Sequence, residues 1–105
     1  MPLHKFAFLL KGDGLHPDTH RAVLKSADFE GEIIGVSSID EATAVAEALN
    51  DTDTQLLEVC GGFGAEGTAA VLSVLRPTLP VGFVAYGPEA TSALFHIFCE
   101  DREDR

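Results

Sequence analysis

Cys60 stands at the end of an apolar run and directly before Gly61-Gly62-Phe63-Gly64. A thiol at a strand end, with a helix opening a few residues later, has its thiolate form favoured by the helix N-terminus. A nucleophile also needs a base, and His16 or His20 would supply one. Cys60, His16 and His20 are therefore the candidate catalytic residues, although the commoner role of such a cysteine is that of an inert, small hydrophobe. His16 and His20 have the spacing to share a helix face for a metal, with Asp13 or Glu66 as a third ligand. Since His16 precedes Pro17 and falls outside the expected helix, no metal site is assigned.

Residues Gly62-Phe63-Gly64-Ala65-Glu66-Gly67 spell G-x-G-x-x-G between an expected strand and an expected helix. Glycines let a backbone approach a ligand closely, and a helix N-terminus presents free N–H groups to an anionic or carbonyl oxygen. The motif follows the third strand rather than the first, and too little chain remains for a dinucleotide domain. A tight turn that packs helix against sheet explains the same glycines. If a small molecule binds, its expected contacts are Gly12, Asp13, Cys60, Gly61, Gly62, Phe63 and Gly64, on two loops at adjacent strand ends. No cofactor is assigned.

The elements that must position these residues read as a β-α alternation. Phe6–Leu10 is an apolar run closed by Gly12-Asp13-Gly14, a strand. Pro17 opens an expected first helix, with His20, Val23, Leu24 and Ala27 at helical spacing. A second strand spans 32–36. Ser38 and Glu41 have the capping-box spacing, and the helix they open carries Ala42, Val45, Ala46 and Leu49 on one face. Residues 55–60 form a third strand, a third helix ends before Pro77, and 81–86 form a fourth strand. Ala93–Cys99 is open between a short helix and a fifth, edge strand.

Strict alternation with short links predicts an α/β domain with a small parallel sheet of flavodoxin-like order 2-1-3-4 and helices on both faces. Such sheets bind ligands beyond the carboxyl ends of their strands, where the order reverses. That places Gly12–His16 opposite Cys60–Gly64.

The chain has 105 residues, the size of one domain. Its formal net charge is −10, with the seven basic residues scattered, which excludes serial neutralisation of a nucleic-acid backbone. The apolar stretch needed to span a membrane is missing, and the N-terminal residues lack the pattern of a signal peptide, so a cytoplasmic location is expected. Two cysteines in such a chain are expected as free thiols. Residues 99–105 are expected as an acidic, frayed tail. Leu94, Phe95, Ile97 and Phe98 form an apolar segment with few places to bury it in so small a sheet, which predicts a homo-oligomer.

Two distant likenesses lack key residues. Asp18-Thr19-His20 is loosely similar to the Asp-x-His-x-x-Gly motif of cobalamin-binding domains, but Val23 stands where the glycine is required. Pro2 is similar to the N-terminal proline of tautomerases, whose doubled β-α-β unit this chain does not show. A closer match rests on Leu56-Leu57-Glu58-Val59-Cys60-Gly61-Gly62-Phe63-Gly64, with Gly67 in the helix that follows, and on Val81-Gly82-Phe83-Val84 after Pro80. These strings resemble a small prokaryotic family known only as a domain of unknown function. The resemblance implies a single α/β domain and brings no activity. The function expected is binding of a small anionic or carbonyl-containing metabolite at 61–64. The alternatives are an enzyme using Cys60, or a structural oligomer.

Overall fold

The computed structural model describes residues 2–100. Strands β1 (Lys5–Lys11), β2 (Arg21–Lys25), β3 (Glu30–Val36), β4 (Leu56–Val59) and β5 (Val81–Phe83) form one sheet in the order β2-β3-β1-β4-β5. Helix α1 (Ile39–Leu49) joins β3 to β4, and α2 (Gly64–Val74) joins β4 to β5. A short helix α3 (Thr91–Phe95) runs on into a π-helical turn, His96–Glu100. Ala93–Cys99 is thus helical, and the strand expected over 81–86 stops at Phe83. Of the frayed tail expected over 99–105, residues 99–100 are helical, and 101–105 lie outside the described residues.

The sheet is not purely parallel, and its order differs from the expected 2-1-3-4. The cause is residues 17–27, expected as a helix. Arg21–Lys25 instead pairs antiparallel with β3, from Arg21 opposite Ile34 to Lys25 opposite Glu30. A tight turn decides it. The Ser26 N–H donates to Phe29 O at 2.8 Å, and Ser26 Oγ accepts the Phe29 N–H at 3.1 Å. Such a serine offers the backbone a turn in place of a helix. Arg21 Nη1 then reaches Glu32, a diagonal neighbour across the two strands, at 3.1 Å.

Losing that helix leaves one face of the sheet bare, a second departure from expectation. The remaining crossovers, β3-α1-β4 and β4-α2-β5, both step the same way across the sheet. Right-handed crossovers stepping the same way put both helices on one face. The core lies there: Leu9, Ile34, Leu57 and Val59 are fully buried against Val45 and Val71. Each such side chain contributes about 1.5–3 kcal/mol relative to an exposed one. The opposite face carries Phe6, Phe8 and Leu10 of β1 in register with Gly31, Ile33 and Gly35 of β3, and no helix covers it among the described residues.

Helix α1 is fixed at both ends. Ser38 Oγ accepts the Glu41 N–H at 3.1 Å, as the capping spacing predicts. No basic residue lies in its last turn, and the charge comes from outside. Arg76, beyond α2, donates from Nη1 to Leu49 O (3.2 Å) and Asn50 O (3.0 Å) and from Nη2 to Thr54 O (2.8 Å). The Asn50 amide answers by donating to Val74 O and accepting the Arg76 N–H.

Candidate functional site

The carboxyl ends of β1 and β4 lie side by side, with Leu9 in register with Val59. Here the Lys11 N–H donates to Cys60 Sγ at 3.3 Å, and the Cys60 N–H donates to Leu9 O at 3.1 Å. Cys60 is half-buried against the core. Residues Gly61–Phe63 make a 3-10 turn that leads straight into α2, with the Phe63 N–H donating to Cys60 O and the Gly64 N–H to Gly61 O. No hydrogen bond carries the Gly61 or Gly62 N–H to another element among the described residues. Gly62 is exposed, and a Cβ there would meet only Cys60 Sγ at 3.6 Å and Lys11 O at 4.0 Å.

The other motif glycines have structural causes. Gly64 has φ +64°, in the left-handed region where a side chain is strained. Gly67 faces α1, where a Cβ would stand 2.8 Å from Ile39 Cδ1, so its size sets how closely the two helices pack. The Tyr86 ring lies against Gly61 from the β5 side.

The facing loop is placed by β1 and β3. The Gly12 N–H donates to Val36 O at 2.9 Å, and Asp13 is exposed. His16 turns toward α1, its Nδ1 lying 3.3 Å from Glu41 Oε2. The His16 N–H donates to His20 Nδ1 at 2.9 Å, which makes that nitrogen an acceptor and puts the proton of a neutral ring on Nε2. The two imidazoles stack with centroids 6.3 Å apart. Neither histidine is hydrogen-bonded to Cys60, so the fold brings the histidines to each other and the thiol to β1. Among the described residues, no three His, Cys, Asp or Glu side chains are arranged to hold a metal ion.

Glu41 ties this loop to the helix. Its Oε1 accepts from the Ser37 N–H at 2.7 Å and the Ser37 hydroxyl at 2.9 Å. These bonds, with a smaller contribution from His16, hold its carboxyl below the ordinary value of 4.5. A carboxyl whose folded pKa is lowered stabilises the fold fully above its unfolded value. That contribution is lost as pH falls through the lowered value. Acid unfolding is therefore expected to steepen below about pH 4.5 and to flatten there in Glu41→Gln. Denaturant midpoints of both proteins between pH 5 and pH 3 check this, and parallel curves refute it.

A second concavity lies on the bare face. A cleft of about 330 Å³ is lined chiefly by Leu10, Leu15, His20, Ala22, Ile33 and Gly35. Sequence reading missed it because it exists only where β2 replaces the expected helix. The small residues Ala22 and Gly35 were its one visible signal.

The architecture defines a class: an α/β domain with both long helices on one face and a glycine turn between β4 and α2. Residues 4–98 match a family of unknown function, DUF6506, and the chain belongs to that family. Neither the curated proteins nor the solved structures returned a match. No helix among the described residues is long and apolar enough to cross a membrane.

Proposed function

We propose that the chain is a binding domain for a small molecule, whose carboxylate or carbonyl oxygen is held by the Gly61 and Gly62 N–H groups. The observation that carries this reading is that these two donors are bonded to no other element among the described residues and that Gly62 puts no side chain over them. Helix α2 adds the positive end of its dipole behind the loop. Gly12 and Asp13 flank the same strand ends, and Asp13 together with a net charge of −10 disfavours a polyanion. A neutral or singly charged ligand fits best.

The test is Gly62→Val, screened by thermal shift beside the wild-type protein against a panel of monocarboxylates and keto compounds. The Cβ makes only ordinary contacts, so the variant is expected to fold, while its methyl groups would stand over the donors. A compound that stabilises the wild type is expected to bind the variant at least about 10-fold more weakly. Equal responses from the two proteins would remove the loop from the site.

A further inference from the structure

Parallel strands are almost always covered on both faces, and among the described residues no helix covers the face opposite α1 and α2. Across β2, β3 and β1 it presents Leu24, Gly31 and Phe6 in one row and Ala22, Ile33 and Phe8 in the next. Leu24 is 70% exposed, and Phe29 lies over Gly31 beside Phe6. The cleft sits at the upper corner of this same surface. Glu58, the acidic residue of β4 on this face, is in register with Phe8 and lies outside the cleft lining.

The same chain carries an exposed apolar segment. None of residues 84–99 is buried. Helix α3 packs against its own neighbouring turns, and Phe95, Ile97 and Phe98 are 51%, 59% and 59% exposed. This arm leaves the sheet from β5, at the opposite edge from the β2 side of the cleft.

We propose that two copies of the chain pair by exchanging these arms. The arm of each lies across the β2-β3-β1 half of the other's open face, with a phenylalanine in the cleft. Two lines of reasoning select a second copy over an unrelated protein. An exchange of identical segments is reciprocal, so it closes at two chains and leaves neither apolar surface over. The area also suffices. Covering the arm's three large side chains and the exposed leucine, isoleucine and phenylalanine side chains of the face removes on the order of 1,500 Å² over both copies, within the range of stable interfaces. Aromatic anchors in apolar clefts are the usual centres of such contacts. Glu58 stays at the rim, in water. Because both copies are acidic, added salt screens their repulsion and strengthens the pairing, the opposite of its effect on docking to a basic partner.

The full-length protein is expected to scatter light as a species of twice 11.2 kDa at about 50 µM, more completely at higher salt. Phe95→Ser with Phe98→Ser alters two side chains that are more than half exposed. This pair is expected to weaken dimerisation at least about 100-fold with an unchanged circular dichroism spectrum. A wild-type mass of one chain, or a double variant that dimerises as the wild type does, overturns the proposal. Geometry is read by cross-linking in a Cys60→Ser background with a short bismaleimide. A tagged copy carrying Ala22→Cys and Cys99→Ser is mixed with an untagged copy that keeps Cys99 on its arm. A product joining the two copies supports arm exchange. Links confined to Cys99–Cys99 pairs or to pairs of the cysteines introduced at position 22, or no link between unlike copies, overturn it.

Discussion

Replacing Arg76 by methionine is expected to lower the unfolding free energy by about 3 kcal/mol and the melting temperature by about 10–20 °C. Methionine keeps most of the stem, so the loss isolates the guanidinium. Three backbone carbonyls lose a donor: Leu49 O, Asn50 O and Thr54 O. Leu49 O keeps the Thr52 hydroxyl at 2.7 Å, while Thr54, itself buried, lies where water reaches poorly. Hydrogen bonds to a charged donor are each worth about 1.5–3 kcal/mol, and the three are not additive because they share one side chain. The positive charge that Arg76 sets against the negative C-terminal end of the α1 dipole would vanish as well, since that helix has no basic residue of its own in its last turn. Lysine restores a charge but not the planar fork, so Arg76→Lys is expected to recover less than half of the loss. Urea titrations of the three proteins decide it. A loss below about 1 kcal/mol in Arg76→Met would show that solvent replaces the guanidinium at little cost.

The second large effect is expected at Gly35. A Cβ there would stand 3.0 Å from His20 Cβ, 3.1 Å from Leu15 Cβ and 3.2 Å from His20 O. Two of these atoms are Cβ carbons and the third is backbone, so none can swing away as the tip of a flexible side chain would. The Gly35 N–H also donates to His20 O at 2.7 Å, which holds the 12–20 loop against β3. Valine suits a strand by propensity, yet here it must push that loop outward. Gly35→Val is expected to cost about 2–3 kcal/mol, the range of overpacked interiors. Its displaced loop would also deform the cleft, weakening self-association in parallel. Gly31→Ala on the same strand is the contrast: its nearest contact is Phe29 Cε2 at 3.3 Å, the movable end of a ring, and a change within about 1 kcal/mol is expected. Equal stability of the Gly35→Val variant and the wild type would mean that the 12–20 loop is not seated as described.

The strands of the helix-covered face were legible because their apolar runs are bounded by glycine and proline, and α1 because Ser38 and Glu41 announce its start. Residues 17–27 were not. His20, Val23, Leu24 and Ala27 satisfy a helical period, while Ala22 and Leu24 equally satisfy the two-residue period of a strand. A few residues cannot separate the two, and pairing with β3 settles it from outside the segment. From that misreading followed the second, helices on both faces. The candidate loop at 61–64 was legible as a turn, since Gly64 and Gly67 answer to backbone angle and helix contact. The His16–Glu41 link was not, because it joins residues 25 positions apart through a loop whose path depends on β2. Arg76 carried no signal either. Its partners are main-chain carbonyls, which leave no mark on side-chain identity.

The central place of β1 has a consequence for how the chain is made. Both partners of β1, β3 and β4, lie after it in the sequence. On the ribosome, Phe6-Ala7-Phe8-Leu9-Leu10 is made well before residues 30–36 and earlier still than 56–59. At about 5–20 residues per second, this apolar strand waits on the order of seconds for each neighbour. The hairpin of β2 and β3 closes locally in microseconds once made, so the nascent chain offers β1 an edge already formed. The antiparallel strand that takes the place of a helix thereby adds almost nothing to that wait, so the time for which the most apolar segment is a target for chaperones or another nascent chain is set by synthesis rather than by folding.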